Sequence, residues 1–233
     1  MGEVLELSHI LFRLPGKTLS RDTLAVYEKA MKVYERIKNG EDMATVGQEL
    51  AKQDSTKQTG YEYARCLLPM QTIKAFENYA YSMKPGELSM PVRTTLGYHI
   101  IKLHSRKPNP GMRRVAHILI PFQKDSVTRS DSETLALAEE VYQKIQGGAD
   151  FGQLAEENSS DAASARKGGV LPWFGVGEMV EPFEKGAFAL NTLGEVSKPV
   201  KTRFGYHIIK LLDKGGIPSF EEKKKSWSRV MAQ

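Results

Sequence analysis

At 233 residues, with 40% apolar and 26% charged side chains, the chain has room for one or two cores and the composition of a globular protein. Its net charge of +5 is spread along the sequence without a basic stripe, which argues against a nucleic-acid partner, because phosphate binding needs Lys and Arg clustered on one face. The single cysteine, Cys66, excludes an internal disulfide, there is no CxxC for metal or redox work, and no apolar run approaches the ~18 residues that cross a bilayer.

Met1-Gly2 leads straight into a predicted strand, Leu5 to Leu14, with His9 in its middle and a Pro15-Gly16 turn at its end. The absence of a leader suggests a piece of a longer chain. From Asp22 to Lys38 the residues Leu24, Tyr27, Ala30, Met31, Tyr34 and Ile37 recur at helical spacing, and Asn39-Gly40 ends the helix. A short helix is expected over Met43 to Ala51, a polar loop over Asp54 to Gly60, and another helix around Phe76, Tyr79, Ala80 and Met83. Two short strands close the segment, Leu88–Val92 and Tyr98–Leu103, joined around Gly97. Residues 106–112 read as a linker, since RKPNPG cannot sit inside a helix or a central strand.

The same plan then repeats. GELSMPVRTTLGYHIIKL at 86–103 and GEVSKPVKTRFGYHIIKL at 194–211 agree at 13 of 18 positions, and the same offset of 108 carries Ser8-His9-Ile10-Leu11 onto Ala116-His117-Ile118-Leu119. Arg113–Pro121 is a predicted strand, and Ser130 with Glu133 forms a capping-box pattern before a helix with Leu135, Ala138, Tyr142 and Ile145 on its inner face. Phe151, Leu154 and Ala155 start a second helix, Ser159–Lys167 is a polar loop, and Gly168-Gly169 precedes a short strand. Glu181-Pro182 opens a helix with proline in its first turn. The closing strands are Val196–Val200 and Tyr206–Leu212, and 214–233, with Phe220, Trp227 and Val230, reads as a helical stub. The expected organisation is two tandem α+β domains, 1–105 and 113–213, each a small, mainly antiparallel four-stranded sheet surrounded by short helices.

In the second copy the motifs Ala116-His117-Ile118-Leu119, Ser160-Asp161, Gly168-Gly169, Met179 with Pro182-Phe183-Glu184, and Gly205-Tyr206-His207-Ile208-Ile209 follow one another in a fixed order. This order resembles the parvulin-type (PpiC) peptidyl-prolyl isomerases, and the tandem arrangement resembles the SurA-type periplasmic chaperones. The resemblance implies a non-covalent isomerase of X-Pro bonds acting on unfolded or extended proline-containing polypeptides, without cofactor or metal. It also implies a place in the periplasm or cell envelope, with membrane contact only through flanking segments. Rotation of an X-Pro bond is slow because amide resonance resists it, and a site that holds the twisted amide better than the planar one accelerates it. Leu171, Met179, Phe183 and Phe204 are the implied substrate-binding residues, with the proline ring on Met179 and Phe183. His117 and His207 would pair across adjacent strands, Thr202 would fix the tautomer of one of them, and Asp161 would stand at the catalytic-loop position.

Val180 and Phe204 replace residues that are polar in some relatives, and Lys124 and Arg129 alternate with Asp125 and Asp131, which argues against a phosphorylated substrate. The first copy keeps His9, His99, Met70, Phe76 and Thr94 but has one glycine, Gly60, in place of the pair and two extra residues between Met70 and Phe76. Its pocket helix is expected to be displaced and its catalysis weak or absent. Simpler readings stand beside these. The histidines could be hydrogen-bonded core residues, Met179 and Phe183 ordinary core, Asp161 a helix cap, and Gly168-Gly169 a plain turn; no HxH or HxxE pattern supports a metal on His117, His207 and Asp161. The alternative function is a non-catalytic chaperone that uses the same fold as a peptide-docking platform.

Overall fold

The structure is a computed structural model that describes residues 2–14, 20–124 and 127–216, and it divides into two compact units, Met1–Asn109 and Pro110–Gln233. Pro15-Gly16, Asp125 and the stretch 217–233, with Phe220, Trp227 and Val230, lie outside the described residues. The first unit runs β1 (Glu3–Arg13), α1 (Ser20–Lys38), α2 (Met43–Gln53), β2 (Thr59–Leu67), α3 (Lys74–Ser82), β3 (Val92–Arg93) and β4 (Gly97–Pro108). Its strands form one antiparallel sheet in the order β2-β1-β4-β3. The second runs β5 (Met112–Pro121), a small hairpin of β6 (Gln123–Lys124) and β7 (Val127–Thr128), α4 (Asp131–Gln146), α5 (Phe151–Asn158), α6 (Ala162–Ala165), α7 (Glu181–Ala189), β8 (Val200–Thr202) and β9 (Gly205–Gly215). Its main sheet is β5-β9-β8, also antiparallel. Among the described residues no helix is long and apolar enough to cross a membrane.

Period-two alternation gives each sheet two apolar faces. In the first unit Ile10, Phe12 and Ile100 pack on α1 and α2, while Leu5, Leu7, Ile101 and Leu103 pack on α3. In the second, Ala116, Ile118 and Ile208 face α4 and α5, and Val115, Ile209 and Leu211 face α7. The α1 stripe is rotated from the expected one: Ala30, Val33 and Ile37 are buried beside Val26, whereas Leu24 is 57% exposed. In α4 the buried centre is Thr134, Ala138 and Val141, with Leu135, Tyr142 and Ile145 as a half-buried rim. The expected capping box is formed, Ser130 accepting from Glu133 N–H and Glu133 accepting from Ser130 N–H.

Five expectations are corrected. The second sheet has three strands because the segment after Gly169 meets β5 only at isolated bridges, Ala116 with Val170 and Arg113 with Phe174. Pro172 between them has no N–H for a ladder, whereas the matching β2 lacks proline and pairs along its length. Leu88–Val92 and Val196–Val200 are likewise interrupted. Ser89 and Ser197 side chains take the Ile101 and Ile209 N–H groups, and Pro91 and Pro199 cannot donate. The polar loop Ser159–Lys167 contains the single turn α6. Most of 106–112 is strand: Leu5 pairs with Arg106, Val4 with Lys107 and Glu3 with Pro108, while Arg106 bonds the Tyr81 and Met83 carbonyls and Glu3. Likewise Lys214 and Gly215, expected in the terminal stub, end β9.

Gly97 and Gly205 start the two central strands at φ +151° and +144°, where a Cβ would lie 2.0 Å from Phe12 O and 2.1 Å from Ile120 O. Gly194 has φ +85° but open space around it. Gly205→Ala is therefore expected to destabilise the second unit by about 2–4 kcal/mol, and Gly194→Ala by only about 1–2 kcal/mol. Urea unfolding of both variants checks this; equal losses would show that the approach to Ile120 is not the constraint.

Candidate active site

Cross-strand register builds the centre of the second unit. His117 on β5 lies opposite Ile209 and His207 on β9 lies opposite Leu119, so the histidines are diagonal neighbours on one sheet face. That face also carries Val115, Ile209 and Leu211 against α7, and Phe183, the third residue of α7, rises beneath the two rings. Its ring meets both edge-on, with centroids 5.6 Å from His117 and 5.1 Å from His207. The imidazoles are 14° from parallel, and their Nδ1 atoms are 3.2 Å apart.

The outer nitrogens are also engaged. His117 Nε2 is 2.8 Å from Asp161 Oδ2 and 3.1 Å from Ser164 Oγ, and Ser164 donates to Asp161 at 2.6 Å. His207 Nε2 is 2.9 Å from Thr202 Oγ1, which accepts the Phe204 N–H at 3.1 Å. With both rings neutral and Asp161 ionised, a directed chain satisfies every group. Thr202 O–H donates to His207 Nε2, His207 Nδ1–H to His117 Nδ1, and His117 Nε2–H to Asp161. Electrostatics agree with it. Burial pushes His207 down to about 3, with His117 adding to the effect. Burial also lowers His117 against the opposing pull of Asp161. Burial alone would raise Asp161, but hydrogen bonds from Ser164 and His117 outweigh it and hold the carboxyl below its usual range.

Asp161 stands at the start of α6, yet its carboxylate is spent on His117 and Ser164 and makes no cap bond. Gly168 and Gly169 are more than a turn: both have positive φ, and a Cβ on Gly169 would meet His117 O at 2.5 Å. Leu171, Met179 and Val180 are half-buried and pack against the cluster around Phe183. Phe183 itself is 3% exposed, so it is the floor under the histidines, not a wall of an open slot. Phe204 is 47% exposed on the turn after Thr202, with the Arg203 guanidinium over its ring. Both His207 nitrogens are occupied by Thr202 and His117, so His117, His207 and Asp161 do not converge on a metal position. Among the described residues no three His, Cys, Asp or Glu side chains cluster to hold one.

The first unit repeats most of this geometry. Thr94 Oγ1 is 2.9 Å from His99 Nε2, and the Nδ1 atoms of His99 and His9 are 3.4 Å apart. Phe76 meets both rings at 5.1 Å, and burial, with His9 beside it, pushes His99 down to about 3. The pocket helix is thus not displaced: Phe76 is the third residue of α3, as Phe183 is of α7. The extra residues are absorbed in the loop before it, where Glu77 accepts the N–H groups of Met70, Gln71 and Thr72. Met70 is left 55% exposed with φ +69°, and counting back from the phenylalanine puts Thr72 in the place of Met179. Sequence reasoning also missed Ser164 and Glu62, which reaches His9 Nε2 at 3.4 Å from the opposite position on β2. A hydroxyl three residues after Asp161 was a usable signal for Ser164; Glu62 needed the strand register.

A histidine near 3 in the fold and ~6.5 unfolded takes up its proton on unfolding in between, so stability rises with pH across that window and is fully present above it. His99 and His207 are each expected to contribute a slope of up to ~1.4 kcal/mol per pH unit. Thermal unfolding between pH 4.5 and 6.5, above the carboxylate range, measures it. A midpoint independent of pH there would mean that the histidines titrate normally.

Two family models, each described as a PPIC-type PPIASE domain, match residues 9–105 and 102–215. The chain is 30% identical over 232 residues to the protein named Chaperone SurA of Pseudomonas fluorescens (strain Pf0-1), covering 97% of this chain and 52% of that one. It is 34% identical over 229 residues to Chaperone SurA of Saccharophagus degradans, with the same coverages. It therefore spans about half the length of the curated relatives it matches. Among solved structures, PrsA from Bacillus subtilis is 45% identical over 53% of this chain and 43% of that one, with a TM-score of 0.37. NmPin, the parvulin of Nitrosopumilus maritimus, is 43% identical over 44% of this chain and 97% of that one, with a TM-score of 0.35. With matches over both halves, the chain belongs to the PPIC-type peptidyl-prolyl isomerase family and carries two such domains in tandem.

Proposed function

We propose that the second unit catalyses rotation about X-Pro bonds in unfolded or extended polypeptides, and that the protein serves as a folding catalyst and chaperone for exported chains in the periplasm or cell envelope. The observation that carries this reading is the relay Thr202–His207–His117–Asp161 laid over Phe183, with Leu171 and Met179 beside it. No covalent step is needed. A planar amide places partial negative charge on its oxygen, and the ionised Asp161 near that oxygen disfavours the planar form relative to the twisted one. The neutral histidines add no positive charge that would reverse this preference. Leu171 and Met179 offer apolar surface to the proline ring, which holds the imide while the preceding residue turns. The name Chaperone SurA, printed for the relatives, agrees with a polypeptide client.

An assay of cis–trans exchange in a short X-Pro peptide tests it. Asp161→Ala and Met179→Ala are each expected to lower kcat/KM roughly 10- to 100-fold with little change in unfolding temperature, since both side chains are partly exposed and Ser164 Oγ, 3.1 Å from His117 Nε2, remains to accept its proton. Parent-like rates in both variants would sink the assignment. Phe183→Ala is expected to cost about 3–5 kcal/mol of stability because the ring is buried, so its effect on rate would report unfolding as well as the site.

A further inference from the structure

The two units differ in where the acidic end of the relay comes from. In the second, the residue that meets His117 across the sheet is Gly169, whose carbonyl accepts the His117 N–H at 2.8 Å. At φ +80°, with His117 O 2.5 Å from where a Cβ would be, no side chain fits there. The carboxylate arrives instead from the loop, as Asp161. In the first unit the loop between α2 and β2 is only 54–58, and its Asp54 is committed to Thr56 and Thr59. Regular pairing of β1 with β2 then sets Glu62 directly opposite His9, with its carboxylate 3.4 Å from Nε2. Two unlike backbones thus end in the same order: carboxylate, histidine, histidine, threonine.

We infer that the first unit is a second prolyl-bond site in which Glu62 takes the part of Asp161 by acting through His9. This rests on the reading of the second unit given above. Beside the relay lies a cavity of about 270 Å³ lined by His9, Glu62, Ala64, Cys66, Thr72 and Phe76 among others. Ala64 pairs with Leu7 as Leu171 bonds to Val115, so Ala64 and Thr72 stand where the second unit has Leu171 and Met179. Smaller and more polar walls grip the imide ring less tightly, which lowers the rate without removing the relay. Glu62 is a positioning residue in this scheme. Its side chain is 72% exposed, so its removal does not touch the core.

The experiment uses the full chain and a fluorogenic X-Pro peptide. In the Asp161→Ala/Met179→Ala background, isomerase activity is expected to persist at roughly one-tenth to one-hundredth of the parent rate. Adding Glu62→Gln is expected to lower that remainder about tenfold with the unfolding temperature unchanged. The same substitution in the parent should move the His9 ring ¹⁵N shifts and leave those of His117 in place, which ties the loss of rate to the first relay and not to the second. An active parent whose background variant falls to the uncatalysed rate overturns the inference alone. A remainder indifferent to Glu62→Gln overturns it too. A parent without activity overturns the reading of the second unit and this one with it.

Discussion

Two imidazoles held 3.2 Å apart, nitrogen to nitrogen, and almost out of contact with water set the terms for the rest of the second unit. Buried rings of this kind must be neutral, and each nitrogen must find a partner, because an unmet polar atom costs about 1–3 kcal/mol. One end of the pair therefore needs a hydroxyl, and Thr202 supplies it from the end of β8. The other end needs an acceptor, which Asp161 supplies from a loop that Gly168 and Gly169 allow to fold back over the strand. Gly205 lets the turn come close enough to Ile120 for Thr202 to reach.

The apolar framework serves the same end. Each sheet has one face closed by the long helix and its short successor, and the other by a nine-residue helix that brings a phenylalanine under the histidines. Placing that ring third in the helix gives it a buried position. The fourth residue, Glu77 or Glu184, meanwhile accepts N–H groups from the loop before the helix, Met70 to Thr72 in one unit and Gly177 in the other. The loop that carries Met179 is thus anchored to the same helix turn as the floor of the site. Packing and polar satisfaction are coupled at this point, because both depend on the first turn of one helix.

Comparison of the units shows which features tolerate change. The histidine pair, its threonine and its phenylalanine survive duplication with nearly the same distances. The walls beside them do not: Leu171 and Met179 give way to Ala64 and Thr72. The parts that satisfy buried nitrogens are held by the energetics of burial, whereas the side chains at the edge of the cluster are under no such constraint.

Much of this was legible in the residues. The 108-residue repeat, the strands centred on His9 and His117, the capping box at Ser130 and the proline-led helix at Glu181 follow from local spacing, since alternation and caps are encoded within a few positions. Phe183, implied as a substrate-binding residue beside Met179, is buried, because i, i+4 spacing shows that two side chains share a face but not what covers it. Residues 106–108 looked like a linker by composition, yet pairing with Glu3 to Leu5 makes them strand. Pro172, in contrast, removed a strand that the repeat implied. The proton order of the relay and the choice between Asp161 and Glu62 lay beyond reach. They join residues 44, 53 and 90 positions apart, and only the register of paired strands and the path of a loop bring such groups within hydrogen-bond distance. Local pattern marked the histidines, their threonines and Asp161 but neither Ser164 nor Glu62, because contact between distant positions is set by strand register and packing.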